Sequence, residues 1–169
     1  MSIKKIFSGK LLNLYLDTSR KLPNKNRTRL EYIKHPGAAI VVPFLDTGNL
    51  VFVRQYRPVI DKYILELPAG TLAKGEAPLH CAKRELEEET GYRAGSVKTL
   101  GHIYTTPGFT TEKIHIFEAR NLKAVVHARE PDEVLETVIL NRKKIRRLLR
   151  EGKISDAKTI AALACCGVL

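Results

Sequence analysis

The sequence predicts a mixed α/β fold of the α+β type, with a mixed sheet between helices and an N-terminal extension of antiparallel strands. Three observations carry this prediction. Short alternating or apolar runs of strand length fill much of the chain, and amphipathic helical segments occur once in the middle and twice near the end. Strands and helices do not alternate regularly, so repeated βαβ units are not expected.

The N-terminal extension is predicted from period-two alternation. Leu12, Leu14 and Leu16 alternate with other residue types, and the alternation resumes over residues 29–33 after a turn signal at residues 23–26. We place this extension in residues 1–37 and the main domain in residues 38–169.

The main domain is predicted to begin with strands. Residues 38–44 form a continuous apolar run between turn-forming residues, which is typical of a strand buried on both faces. Residues 50–56 are its expected hairpin partner, because turn formers separate the two runs. Further strands are predicted over residues 63–67, 97–105, 113–120 and 134–140.

Three helices are predicted, over residues 78–90, 142–150 and 156–166. The first has Pro78 at its start and Gly91 just past its end, which is the usual asymmetry of helix termini. The second is strongly basic.

The composition is that of a globular protein with an excess of positive charge. Of 169 residues, 44% are hydrophobic and 28% are charged, and the formal net charge is +11. A basic surface favours anionic partners such as phosphate compounds, nucleic acids or acidic lipids. No apolar run approaches the roughly 18 residues of a membrane helix, and the three cysteines form no disulfide framework. We therefore expect a cytoplasmic protein with no membrane partner.

The helix over residues 78–90 carries an unusual cluster of carboxylates. Leu79, Ala82 and Leu86 form a narrow apolar stripe. Like charges crowd along the edge of this stripe at Glu85, Glu88 and Glu89. Such charges repel one another and oppose the helix macrodipole near its C-terminus. A bound Mg²⁺ or Ca²⁺ would explain them, because both ions prefer carboxylate oxygens; a solvated glutamate-rich helix is the alternative.

Spacing favours the metal site. The pattern Gly-x5-Glu-x7-Arg-Glu-(aliphatic)-x-Glu-Glu-x-Gly-(apolar) is matched at Gly70, Glu76, Arg84, Glu85, Leu86, Glu88, Glu89 and Gly91. This pattern resembles the Nudix box, and the wider likeness runs over residues 38–140. Tyr92 stands where an aliphatic residue is usual, and an aromatic ring there should still pack.

The resemblance implies an α/β/α sandwich that hydrolyses a nucleoside diphosphate linked to another moiety, with Mg²⁺, or Mn²⁺ as the alternative. Carried over to this chain, the metal-binding residues are Ala69, through its backbone carbonyl, Glu85, Glu88 and Glu89. Glu88 is also counted as catalytic, since it stands close to the metal as a ligand or just beyond. Arg84 would hold the glutamates in place through ion pairs.

Markers outside the box resemble the ADP-ribose pyrophosphatase branch of the family. They include a proline, Pro107, sixteen residues beyond Gly91. The implied substrate-binding residues are Arg54, Arg57, Glu66, Phe109 and Glu112. The implied products are AMP and ribose 5-phosphate. Pyrophosphatases of GDP-mannose and other nucleotide sugars share some of these features, so they stay the alternative.

The same resemblance implies a further glutamate on a later loop, as catalytic base or as ligand of a third metal. Glu133, just before an alternating strand, matches that position best, and Glu130 and Glu136 remain alternatives.

The resemblance also implies a homodimer that pairs through the N-terminal extension. The partner subunit would help to hold adenine, and Phe7, Tyr15 and Tyr32 are equal candidates for the residue that stacks on it.

Two other functions deserve weight. A nucleic-acid-binding protein would use the basic residues of segment 142–150, but the sequence has no RNP-like aromatic pattern, no zinc finger and no Trp. Nucleic acid is therefore not an expected partner. A Nudix-like binding module without catalysis would have no physical need of three crowded carboxylates.

Overall fold

The computed structural model describes residues 2–9, 12–46, 48–125 and 135–169. Within these ranges the chain forms three sheets, helices on both sides of the main sheet, and a short 3₁₀ turn at Pro58–Ile60. In chain order the elements are β1 (Ile3–Ser8), β2 (Asn13–Asp17), β3 (Leu30–Ile33), β4 (Ala38–Pro43), β5 (Leu50–Arg57), β6 (Lys62–Glu66), β7 (Ala69–Thr71), α1 (Pro78–Thr90), β8 (Tyr92–Tyr104), β9 (Lys113–Ala124), β10 (Leu135–Leu140), α2 (Arg142–Arg150) and α3 (Ala157–Cys165).

The strands form three sheets. The N-terminal strands make an antiparallel sheet in the order β1-β2-β3, as the alternation predicts. The main sheet has the order β7-β4-β9-β8 and is mixed, because β4 and β9 run parallel while the other pairs are antiparallel. The third sheet has the order β10-β5-β6 and is antiparallel.

Strand β4 lies at the centre of the fold and is buried along its whole length. Its side chains alternate between two cores, as strand geometry requires. Ile40 and Val42 belong to the core that includes residues of α2 and α3, whereas Ala39 and Val41 pack with residues of α1. Helices therefore cover both sides, which confirms the predicted α/β/α sandwich around a mixed sheet.

The expected hairpin of residues 38–44 with residues 50–56 is wrong. Strand β4 pairs with β7 and β9, and β5 pairs with β6 and β10. Among the described residues, the pairing between the two runs is limited to an isolated bridge from Phe44 to Leu50. The turn instead carries the chain from one sheet to another. A strand that is apolar on both faces takes a central position, and distant segments supply its neighbours.

Several predicted boundaries differ from the observed ones. Strands β8 and β9 are longer than predicted, because they pair with each other from Tyr92 opposite Ala124 to Tyr104 opposite Lys113. Residues 69–71 form their own strand, β7, just after the end of the strand predicted over residues 63–67. The helix bounds agree closely, and Val134, the predicted start of the last strand, lies outside the described residues.

The buried face of α1 differs from the predicted stripe. Leu79 is 38% exposed, whereas Cys81, Ala82 and Leu86 are buried. The small side chains at 81 and 82 let the helix pack closely on β4, and this packing turns Leu79 outward.

Helix α3 is attached to the strand segment that precedes the box. Asp156 caps the helix by accepting a hydrogen bond from the Thr159 backbone N–H at 3.0 Å. The buried Thr159 hydroxyl accepts one from the Leu67 N–H at 2.9 Å. These contacts hold the N-terminus of α3 beside the junction of β6 and β7. Among the described residues, no helix has both the length and the apolar character needed to span a membrane.

Replacing a core residue of α3 tests this packing. Leu163 is fully buried in the larger core. Leu163→Ala should lower the free energy of unfolding by about 2–5 kcal/mol, because it removes buried methyl groups and leaves a cavity. The matched control is Ile139→Ala, at a side chain that is 49% exposed, and its effect should stay within about 0.5 kcal/mol. Denaturant titration measures both; equal losses would contradict the assigned core.

Candidate active site

A cleft of about 540 Å³ lies where β4, β5 and β7 meet α1 and the start of α3. Carboxylates of α1 line one part of it, and cations of β5 and α3 line another. The lining residues are Ala38, Gln55, Arg57, Ala69, Gly70, Thr71, Glu85, Glu89, Thr105, Glu112, Ile114, Asp156, Ala157 and Lys158.

The carboxylate of Glu85 lies directly against the backbone of Gly70. A Cβ atom at position 70 would stand only 1.8 Å from Glu85 Oε1. Glycine is therefore required for this approach, and the first residue of the box pattern has a local physical cause. The backbone of β7 and the side chain of Glu85 form one continuous wall of the cleft.

Glu89 is almost completely buried at the same wall. It is 4% exposed, and its Oε2 accepts a hydrogen bond from the Ala69 backbone N–H at 3.0 Å. Glu89 thus joins α1 to β7 next to Gly70. The predicted metal-binding residues Ala69, Glu85 and Glu89 all line the cleft.

Arg84 connects the glutamates of the box. Its guanidinium contacts Glu76 at 3.0 Å and both Glu85 and Glu88 at 2.8 Å. Hydrogen bonding to Glu76 and Glu88 raises the pKa of Arg84. In return, the hydrogen bond from Arg84 lowers the pKa of Glu76 to about 2, with help from the Ala73 N–H. Glu76 and Arg84 therefore stay ionised at neutral pH and form an ion pair of opposite charges.

The donor set of this wall fits a hard divalent cation. Mg²⁺ and Ca²⁺ prefer carboxylate oxygens as ligands. Because Gly70 has no side chain, the carboxylate of Glu85 can lie against the backbone at this wall. Among the described residues, no three acidic, histidine or cysteine side chains yet converge on one point. The reason is visible: Arg84 attracts Glu85 and Glu88, and the Ala69 N–H holds Glu89. A cation would compete with Arg84 for these oxygens.

A buried carboxylate organises the opposite part of the cleft. The side chain of Glu66 is 2% exposed and makes a two-pronged pair with Arg57, at 2.7 Å to Nε and 2.6 Å to Nη2. Lys158 also contacts Glu66. Burial alone would raise the pKa of Glu66, but Arg57 and Lys158 hold it below its ordinary value. The hydrogen bond to Glu66 raises the pKa of Arg57.

The other predicted residues fall in several places. Glu112 lines the cleft and bonds Thr105 at 2.8 Å. Glu88 is 39% exposed and is not among the lining residues. Phe109 lines a neighbouring cavity of about 480 Å³ between the extension and the loop before β9.

Arg54 is not brought to the cleft. Successive strand residues point to opposite faces, so Arg54 and Arg57 separate. Arg54 lies 4.3 Å from the centre of the Tyr63 ring and 3.6 Å from Glu136. This places Glu136 at an exposed edge, while Glu130 and Glu133 lie outside the described residues.

Sequence reasoning missed Gln55 and Lys158. Gln55 shares a strand face with Arg57, so period-two alternation could have found it. Within the described part of the chain, its Oε1 is a buried side-chain oxygen without a hydrogen-bond partner. Lys158 had no local signal, because its position depends on Glu66, 92 residues away.

The extension contacts the loop that carries Glu112. The Ile33 N–H donates to the Phe109 carbonyl at 2.8 Å, and the Thr111 N–H donates to the Ile33 carbonyl at 3.0 Å. His35 and Glu112 are 3.6 Å apart. The position of the extension is therefore coupled to this side of the cleft.

Comparison with protein-family models identifies the class. A model described as the NUDIX domain matches residues 34–163. The chain belongs to the Nudix family, which confirms the prediction made from the box, and the hydrolase class is confirmed with it. Nudix hydrolases generally use divalent metals.

Individual relatives narrow the comparison. An ADP-ribose pyrophosphatase of Bacillus subtilis (strain 168) is 40% identical over 95% of this chain and 87% of its own length. A methanol dehydrogenase activator of Bacillus methanolicus is 38% identical over the same shares. A GDP-mannose pyrophosphatase of Yersinia enterocolitica serotype O:8 / biotype 1B is 35% identical over 78% of this chain and 73% of that protein.

A solved structure agrees with the fold. The crystal structure of an ADP compounds hydrolase superposes with a TM-score of 0.84, covering 98% of this chain and 90% of that one, at 23% sequence identity.

The close contact at Gly70 gives a test of the metal wall. Gly70→Ala should leave the fold intact, because the atom displaced is the end of a flexible side chain. Mn²⁺ affinity should fall by about 10- to 100-fold, as for other disturbances of ligand orientation. Free Mn²⁺ can be followed by paramagnetic resonance.

As a control, Gly70→Ala is also made in a protein that already carries Glu85→Gln. If Glu85 mediates the effect, Gly70→Ala should change Mn²⁺ affinity far less in that background than in the natural sequence. Equal losses in both backgrounds would contradict the role of the contact.

Proposed function

We propose that this protein is a Mg²⁺-dependent pyrophosphatase that hydrolyses ADP-ribose to AMP and ribose 5-phosphate. The observation that carries the proposal is the cleft, because Glu85 and Glu89 of the Nudix box share it with the anchored guanidinium of Arg57. A diphosphate needs both: cations for its oxygens, and carboxylates to hold the divalent ions that neutralise it.

The proposed roles follow from position. Glu85, Glu89, the Ala69 carbonyl and Glu88 would hold Mg²⁺, or Mn²⁺ in its place, and Arg84 would keep the glutamates oriented. When bound, the ion supplies charge neutralisation and an acidified water. The fork of Arg57 suits phosphate oxygens, and Glu66 fixes its orientation.

The remaining site residues have lesser or different roles. Glu112 would contact the substrate, since this residue lines the cleft. Phe109 would meet only a part of the substrate that reaches the neighbouring cavity. We do not assign Arg54 to the substrate. Glu133 remains the proposed base.

The relatives support this substrate class. The ADP-ribose pyrophosphatase of Bacillus subtilis is similar over nearly the whole chain. The GDP-mannose pyrophosphatase of Yersinia enterocolitica favours nucleotide sugars as the second candidate. ADP-ribose and GDP-mannose are both nucleoside diphosphate derivatives. The same carboxylates and cations of the cleft would therefore suit the diphosphate of either compound.

We also propose that residues 1–37 form a dimerisation extension and that the protein is a cytoplasmic homodimer. Ile3, Ile6 and Phe7 are each more than half exposed, and β1 is an edge strand. Exposed apolar groups on an open sheet edge favour pairing with a second copy. The three cysteines are free thiols, and free thiols are typical of a reducing compartment.

The function is tested with a substrate panel. The protein should be incubated with ADP-ribose, GDP-mannose, NADH and dinucleoside polyphosphates, with Mg²⁺ in ¹⁸O water, and the products identified by mass spectrometry. We expect ADP-ribose to be hydrolysed fastest, with the label in AMP. Faster hydrolysis of GDP-mannose would favour the second candidate, and no hydrolysis of any compound would contradict the proposal.

A variant pair tests the metal wall within that assay. Glu89→Gln should lower kcat by at least about 100-fold, because a divalent ion contributes several kcal/mol of charge stabilisation to the transition state. Glu151→Gln, at an exposed surface ion pair, is the control and should keep the natural rate. Normal turnover by Glu89→Gln would overturn its role.

The oligomeric state has its own test. Light scattering at micromolar concentration should give the mass of a dimer. Phe7→Glu should give a folded monomer, because it places a charge in the proposed interface. A monomeric natural protein would refute the dimer.

A further inference from the structure

Lys158 lies in the cleft although it comes from the far end of the chain. It is the second residue of α3, and its side chain is 20% exposed. It lines the cleft together with Asp156 and Ala157. Its ammonium contacts two carboxylates, Glu66 and, at 2.9 Å, Asp156.

Lys158 and Arg57 share one anchor. Both Arg57 Nη2 and Lys158 Nζ contact the same atom, Glu66 Oε2. The two cationic groups are therefore neighbours at the surface of the cleft, over a carboxylate that is itself out of reach of solvent. An ammonium has three N–H donors, so two contacts to carboxylates leave a third for a ligand.

The position of Lys158 is electrostatically unfavourable for the helix. The first turn of a helix carries partial positive charge and favours acidic residues. A lysine there raises the positive potential at the end of α3, where backbone N–H groups of the first turn lack helical partners. An anion bound in the cleft would interact with the ammonium of Lys158 and with these backbone N–H groups. It would also reduce the repulsion between Lys158 and Arg57.

Attachment of α3 does not require this charge. The Asp156 cap and the bond from Leu67 to Thr159 already hold the N-terminus of the helix. A neutral residue at 158 would leave both contacts in place.

We infer that Lys158 is a substrate-binding residue, which donates with Arg57 to the diphosphate of the substrate while Glu66 positions both cations. The inference deepens the proposed function and rests on it. It adds Lys158, from the C-terminal helix, to Arg57 as a second cation that lines the cleft.

The test replaces Lys158 by Met and by Arg. Lys158→Met should raise KM for ADP-ribose by about 10- to 100-fold, the loss expected for a hydrogen bond between charged groups, with a smaller change in kcat. Lys158→Arg should restore much of the loss. The control is Lys153→Met, which removes the same charge and a surface ion pair with Glu151 outside the cleft; its KM should be unchanged.

A binding measurement separates this role from a structural one and from failure of the proposed function. Calorimetry with α,β-methylene-ADP, a diphosphate that is not hydrolysed, should show the same weakening in Lys158→Met, without any turnover. Thermal unfolding reports stability separately. A Lys158→Met protein that melts lower but keeps natural KM and natural affinity would overturn the inference.

If the natural protein hydrolyses no compound of the panel, the proposed function fails, and the calorimetric comparison still decides Lys158. Equal affinity of the natural protein and Lys158→Met for the analogue overturns the inference, and weaker binding by the variant supports it.

Discussion

Repulsion between the carboxylates of α1 is the constraint around which this site is built. Glu85, Glu88 and Glu89 lie within two turns of one helix, and each is held by a specific contact. Arg84 draws Glu85 and Glu88 together, and the Ala69 N–H fixes the buried Glu89. Gly70 removes the Cβ atom that would push Glu85 away. The strand–loop–helix segment therefore keeps two of these carboxylates, Glu85 and Glu89, at the wall of the cleft, where a divalent ion could bind their oxygens.

The opposite part of the cleft uses the same principle with the charges reversed. There the central group is a carboxylate, Glu66, and cations surround it. A buried charge that loses its partner destabilises a protein by about 3–5 kcal/mol. The contacts of Glu66 with Arg57 and Lys158 therefore hold all three side chains in position. Because Glu66 ends β6 and Lys158 is the second residue of α3, this interaction links the third sheet to the C-terminal helix, in addition to the cap at Asp156 and the bond from Leu67 to Thr159. Stability and substrate geometry depend here on the same contacts.

Prediction from the sequence succeeded where the determining interactions are local. The bounds of α1 agree with its Pro78 start and Gly91 end, and the box residues fix the family, because their spacing is that of one helix and one turn. It failed where distant segments decide. The partners of β4 come from residues 69–71 and 113–124, so the nearby run 50–56 was a misleading guide. Lys158 escaped notice for the same reason. Arg54 is a different case. It lies on β5, which does border the cleft, but the alternation of side chains along the strand places it on the face opposite to Arg57.

The charge of the cleft explains why metal and substrate should bind together. The whole chain carries a net charge of +11, yet the described residues that line the cleft include two cations, Arg57 and Lys158, and more carboxylates, at Glu85, Glu89, Glu112 and Asp156. The positive excess lies elsewhere, much of it on α2, where it can attract an anionic substrate from a distance. Within the cleft, a diphosphate would meet a negative field until divalent ions occupy the carboxylate wall. Glu85 and Glu89 would hold such ions, which would neutralise part of that field and would be bound in turn by the phosphate oxygens. By linkage, the affinity for the ion and the affinity for the diphosphate would then rise together.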